Sequence, residues 1–392
     1  MIRVALPIYV ELLTAVVVVG VIDLLWVSEL GEPAVAAVTV ATTVEYLAYG
    51  LFLAVPTGLT VLIGRRDGHA PLSPVIRTGW LLWAGSSVAI ALPGVLLREP
   101  IAALFTESPG PTADFLLISL AGLPVYFAQT VVDGIVKGRG NTRTPMRNAV
   151  ICNTLVIALD PLLIYGLGLG VSGAALATVL ARAVTLAISL ATMGRIRDAG
   201  PRFPATAVLR TGLPMSGDFL ARSAVGLVLV DLVAGFGTAE LAGYGIGQKV
   251  MLAGVMAFYA LRQAAMIRTA RGEPTGSPLW LGLGVGVAVA LVLNAVAVPV
   301  TGMFTGGSAA VSFLRWMTLY LVPFGGLIAV GGVLQASGRG GRLLAATLAG
   351  FAVQLPLAYL LSAWLGVEGV WLSMAAGASV SLAGALASMP GR

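Results

Sequence analysis

The sequence predicts an all-α membrane protein of twelve transmembrane helices, arranged as two pseudo-symmetric six-helix bundles. Three observations lead there: an apolar composition, twelve long apolar runs, and charges sorted between alternate connections. Of 392 residues, 58% are hydrophobic and 10% charged, with a mean hydropathy of +0.96. Ordinary soluble domains carry about 25% charged residues. A soluble fold of this composition would lack the polar surface to cover itself, whereas a bilayer is an apolar solvent and needs no such cover.

A helix crossing about 30 Å of hydrocarbon takes roughly 20 residues at about 1.5 Å each. Apolar runs of that length predict spans at approximately 4–28, 35–63, 75–97, 115–136, 146–168 and 172–194 in the first half. In the second half they fall at approximately 206–235, 240–267, 278–301, 309–335, 343–365 and 368–388. The runs are too long, and alternate too little, for barrel strands.

The connections orient these spans. One side carries Arg65, Arg66, Arg77, Lys137, Arg139, Arg143, Arg147, Arg195, Arg197 and Arg202, then Arg268, Arg271, Arg339, Arg342 and Arg392. The other side carries Glu29, Glu32, Glu99, Glu107, Asp114, Glu240 and Glu368, with Arg98 as its clear basic residue. Cytoplasmic loops are enriched in Lys and Arg, so both termini are expected in the cytoplasm of a multi-pass protein of the cell (inner) membrane. Omitting one span would scramble this alternation. The polar stretch 195–205 reads as a linker between an N-lobe, 1–200, with helices one to six, and a C-lobe, 201–392, with helices seven to twelve.

The halves resemble each other. Ala5-Leu6-Pro7 opens the first span and Gly212-Leu213-Pro214 the seventh; Leu30-Gly31 and Phe236-Gly237 close them. Gly138-Arg139-Gly140 recurs as Gly338-Arg339-Gly340, and Gly170-Val171-Ser172-Gly173 as Gly366-Val367-Glu368-Gly369. Six spans per half keep the orientation, so the repeats predict a pseudo-two-fold axis along the membrane normal and a cleft between lobes, a common transporter plan.

Several function classes fall away. The net charge of +6 forms no tail, finger or aromatic-basic cluster, so no nucleic-acid partner is expected. A single cysteine, Cys152, allows no internal disulfide and no cysteine-rich metal site. His69, the sole histidine, lies in a polar connection beside Arg65, Arg66 and Asp67. Zinc chemistry, a Ser-His-Asp triad and a membrane-embedded enzyme are all poorly supported; no cofactor and no certain metal are expected. The first apolar run holds Glu11 and Asp23 and precedes further spans, so it reads as a span rather than a signal peptide.

Ionisable groups at membrane depth are expensive and mark pathways or proton relays. Asp23 in the first span, Asp160 in the fifth and Thr178 in the sixth sit at matching depth, about 10–12 Å below the outer surface. Two carboxylates at one depth can share a proton or a sodium ion, and a hydroxyl suits a hard cation. Glu45 is a candidate for the same cavity; Glu11 and Asp133 lie deeper towards the cytoplasm, and Arg182 is the basic group at depth. Pro161 lacks the N–H that would bond Ile157, so a bend beside Asp160 is expected. Pro56 and Pro124 are further candidate bends. In the second half Asp218 and Arg222 are i,i+4 and can pair, Asp231 and Lys249 share a depth and can pair between helices, and Arg262 and Arg315 also fall within spans.

These residues carry a resemblance. Ala5-Leu6-Pro7, Asp23 with Leu24-Leu25-Trp26-Val27, the run from Gly138 to Pro145, Leu159-Asp160-Pro161, and the run from Gly170 to Thr178 are similar to the multidrug and toxic compound extrusion (MATE) family, in its DinF-like branch. The resemblance covers essentially the whole chain. It implies a V-shaped pair of lobes exporting organic, drug-like or metabolite compounds against an inward proton or sodium gradient, with Asp23, Asp160 and Thr178 in an N-lobe cation site. The branch often has an asparagine one turn before the fifth-helix aspartate; Val156 stands there, and Asn153, three residues further back, is the nearest substitute. That departure weakens a sodium site and favours H+ over Na+ as coupling ion. The expected partners are a small amphipathic organic substrate and membrane lipid, with the chain acting as a monomer. The alternative is a flippase for lipid-linked precursors, which needs a cavity lined by basic groups drawn from Arg182, Arg222, Lys249, Arg262 and Arg315.

Overall fold

In a computed structural model, residues 1–106, 109–193, 203–301 and 307–389 are described, without the side chains of Val21, Asp23 and Leu24. Glu107, Arg195, Arg197, Arg202, Arg392 and most of the 195–205 linker therefore lie outside the described residues. Helices dominate, and the described residues contain no strand.

Helix α1 runs through Ile2–Leu12, a π-helical turn Leu13–Val18, and Val19–Ser28. Helix α2 is Glu32–Phe52 continued, after a break at Leu53, by Ala54–Arg66. Pro56 supplies the reason, since it has no N–H for the carbonyl of Phe52. Helix α3 is Ser73–Leu96 and α4 is Pro109–Gly138. Helix α5 is Arg143–Pro161 followed by a π-helical turn, Leu162–Gly166, and α6 is Gly170–Met193. The second half supplies α7 (Ala205–Ala234), α8 (Thr238–Ala270), α9 (Pro278–Thr301), α10 (Gly307–Ala336), α11 (Gly340–Leu365) and α12 (Val367–Ala387).

All twelve predicted spans thus correspond to helical runs. Among the described residues, ten are long and apolar enough to cross a membrane as single helices. The π turn divides α1 into short pieces, and α7 carries Arg210, Asp218, Arg222 and Asp231. A short helix, Arg98–Ala103, was not anticipated.

The chain divides into two compact units: Val10–Ser216, and Gly217–Arg392 together with Met1–Tyr9. In the first, α4 is central, touching α2, α3, α5 and α6. Its core holds Leu59, Leu116, Leu120, Leu123 and Phe127, and Phe52 stacks on Phe127 at 4.1 Å. The start of α7 belongs to this unit and lies tightly against Ala54–Arg66: a Cβ on Gly212 would fall 1.8 Å from the Ala54 carbonyl oxygen. In the second unit α10 is central, touching α8, α9, α11 and α12. Tyr244, Phe313 and the fully enclosed Trp371 form an aromatic cluster there. The central helix is the fourth of each six, as an internal repeat requires. Leu81, Leu92, Leu291 and Trp364 are exposed, which suits a surface solvated by lipid.

Candidate functional site

In the first bundle the carriers of the predicted site are neighbours. Val19–Ser28, which carries Asp23, packs on both α5 and α6, and α5 packs on α6. Asp160 is completely buried on α5, directly before Pro161 and the π-helical turn. Asn153, Val156 and Asp160 are all buried, and their spacing of three and four residues puts them on one helix face. Thr178 is half-buried, two turns into α6. The side chain of Asp23 is among those outside the described residues.

The expected bend at Pro161 takes the form of a π turn, and α1 has one too, at Leu13–Val18. Turns of this type inside helices accompany functional sites. In α1 the Thr14 hydroxyl bonds the Val10 carbonyl at 2.7 Å, a side chain inserted into the backbone ladder. The α5 turn is clasped by the start of α6, where a Cβ on Gly173 would lie 2.8 Å from the Leu163 carbonyl. It is clasped on another side by α1. The Tyr165 hydroxyl donates to the Trp26 carbonyl, and the two rings meet edge-on at 6.3 Å.

Below this level the remaining acids are engaged. Arg182 Nη1 lies 3.2 Å from Glu45 Oε2, with its guanidinium 4.4 Å over the Tyr126 ring. Glu45 and Arg182, predicted separately, are therefore one clamp joining α2, α4 and α6. Lys137 Nζ donates to Glu11 Oε1 at 2.7 Å. Lys137, expected among the loop charges, is instead buried at the end of α4. Asp133 accepts from Gln129 Nε2 at 2.9 Å. Gln129 Oε1 lies 3.3 Å from the Ser189 hydroxyl, which accepts from Asn148 Nδ2 at 2.8 Å. This chain across α4, α6 and α5 was not legible in the sequence, because its members are spread over 60 positions.

The second bundle has a different centre. Asp218, paired with Arg222 at 3.1 Å as predicted, also accepts from Arg262 Nη1 at 2.8 Å and Thr347 Oγ1 at 2.9 Å. Arg262 and Thr347 come from α8 and α11. Arg222 opens onto a cavity of about 180 Å³ lined by Tyr244, Tyr259, Tyr320, Phe324 and Phe351 among others. The expected Asp231–Lys249 pair is absent among the described residues: both side chains are exposed and no ion pair joins them. Of the basic groups weighed for an anionic headgroup, Lys249 and Arg315 are exposed, Arg182 is held by Glu45, and Arg222 is the one lining this cavity.

Comparison with known proteins gives a consistent answer. The family profile described as MatE matches residues 7–162. Probable multidrug resistance protein YpnP of Bacillus subtilis (strain 168) is 25% identical over 384 residues, 90% of this chain and 86% of that protein. DNA damage-inducible protein F of Escherichia coli (strain K12) is 32% identical over 203 residues, 49% of this chain and 43% of its own length. The crystal structure of the Vibrio cholerae MATE transporter VcmN in the bent form shares the fold, with a TM-score of 0.85 at 20% identity over 98% of this chain and 94% of that one. The chain thus resembles the multidrug and toxic compound extrusion family, in sequence over residues 7–162 and in fold over nearly its whole length.

Proposed function

We propose that this transporter is a proton-coupled antiporter of the cell membrane, with both termini cytoplasmic, which exports small amphipathic organic compounds as a monomer. The observation that carries the reading is Asp160: a carboxylate fully enclosed in a membrane helix, immediately before a proline and a π-helical turn. Burial disfavours the charged form of a carboxylate, and protonation removes that charge. Its helix is flanked by the two that carry Asp23 and Thr178, so one cation held among these groups would bear on three helices at once. Val156 puts a hydrocarbon wall on the Asp160 face, which favours the proton over a sodium ion needing several oxygen ligands.

Proton uptake at Asp160 and Asp23 would change the packing of α1 against α5, both already interrupted by π turns, and so alter substrate affinity. A coupling ion can shift such an equilibrium only through differential affinity for its two states, and a buried carboxylate supplies that difference. The test is reconstituted transport of a panel of organic cations and anions with pH and sodium gradients imposed separately. Export driven by the pH gradient alone supports the reading; export driven by sodium alone, at constant pH, overturns proton coupling.

A further inference from the structure

The buried charges of the second bundle do not cancel. Asp218 faces two guanidinium groups, Arg222 and Arg262, leaving one positive charge in excess. Its carboxylate is fully engaged: Oδ1 takes Arg222 Nη2 and the Thr347 hydroxyl, and Oδ2 takes Arg262 Nη1 and Arg222 Nε. Arg262 is 2% exposed, and its Nε and Nη2 are buried without hydrogen-bond partners. Arg222 Nη1 makes no hydrogen bond among the described residues, and Arg222 is the member of the triad that lines the cavity. The other second-half carboxylates, Asp231, Glu240, Glu273 and Glu368, are absent from that lining. A buried positive charge without a counter-charge is costly at membrane depth, and a diffusible anion at the free edge of Arg222 would complete the balance.

The walls narrow the class further. Tyr320 and Phe324 stack at 4.8 Å, Tyr244 and Tyr259 add aromatic surface, and Met251 and Met374 add polarizable thioethers. Aromatic walls also attract cations, but here a cation is already in place. The Arg222 guanidinium lies 5.2 Å from the Phe324 centroid and 5.8 Å from that of Phe351, where it repels a second positive charge. We propose that this cavity binds an organic anion bearing an aromatic ring, its carboxylate or other acidic group on Arg222 and its ring between the aromatic side chains.

This names a substrate class for the transport function and rests on that reading only for its physiological use; the binding itself needs no gradient. The test is calorimetric titration of the full-length protein in nanodiscs, at pH 7 without ion gradients, using 2-naphthoate, its neutral amide, the cationic 2-naphthylmethylamine, and acetate. The expected result is at least tenfold tighter binding of naphthoate than of the other three. Arg222→Gln leaves Asp218 and Arg262 as a balanced pair and should remove the preference for naphthoate over the amide. Phe351→Ala, which leaves the triad untouched, should reduce naphthoate affinity towards that of acetate. Equal affinities for naphthoate and its amide in the wild-type protein, or unchanged naphthoate affinity in both variants, would overturn the proposal. Gradient-driven export that fails while naphthoate still binds would count against the coupling reading alone.

Discussion

The hydroxyl of Tyr165 donates a hydrogen bond to the backbone carbonyl of Trp26, tying the end of α5 to the end of α1. Tyr165 lies inside the π-helical turn that follows Asp160 and Pro161, and Trp26 lies three residues beyond Asp23. Any change of shape in one helix is therefore passed to the other at the level of the two aspartates. Tyr165→Phe keeps the ring contact and removes a hydrogen bond of net worth about 0.5–1.5 kcal/mol. Export should slow severalfold while the melting temperature moves by a few degrees at most. Wild-type export by Tyr165→Phe would show that this link has no part in transport.

The Asp218 triad makes an ordering prediction. Asp218→Asn leaves Arg222 and Arg262 buried together without their counter-charge, and breaking a buried pair costs about 3–5 kcal/mol. Arg222→Gln leaves the 2.8 Å Asp218–Arg262 pair in place and should cost less. Thermal unfolding in detergent reads this directly, with Asp218→Asn melting lowest. The reverse order would mean that the excess positive charge is compensated by another group.

Glu11 and Lys137 form a mostly buried pair joining α1 to α4, with side chains 12% and 11% exposed. Lys137→Met alone should destabilise the first bundle by about 3–5 kcal/mol, while replacing both members by neutral isosteres is commonly near neutral. Glu11→Gln combined with Lys137→Met should therefore recover most of the loss. A double variant no more stable than Lys137→Met would show that the damage is to packing, not charge.

Backbone proximity gives a fourth expectation. A Cβ at Gly212 would clash with the Ala54 carbonyl, whereas one at Gly85 meets nothing within 4 Å. Gly212→Ala should cost about 1–3 kcal/mol through overpacking, and Gly85→Ala should be neutral or slightly stabilising in its helix. Equal melting temperatures would contradict the tight seat of α7 on the second half of α2.

The spans were legible because hydropathy and loop charge are local or summed properties. The Asp218–Arg222 pair was legible because i,i+4 spacing is fixed by the helix itself. Arg262 and Thr347 were not, since they reach Asp218 from helices 44 and 129 positions away. Lys137 was misread as a loop charge because a basic residue at a helix end looks the same in sequence whether it snorkels outward or turns in to an acid. Pro161 announced an irregularity in α5; the π turn of α1 had no proline to announce it, only Thr14 reaching back to Val10. Asp160 could be picked out as a charge in an apolar run, but its complete burial belongs to the packing of α5 against α1 and α6.

In the proposed mechanism the carboxylates of α5 and α1 take up and release the coupling proton. Its most direct measurement is pH-gradient-driven transport in proteoliposomes containing wild-type protein, Asp160→Asn or Asp23→Asn, each first shown to melt near the wild-type temperature. Both variants should still bind substrate but export none of it above the protein-free background. Export at wild-type rates by either folded variant would contradict that mechanism.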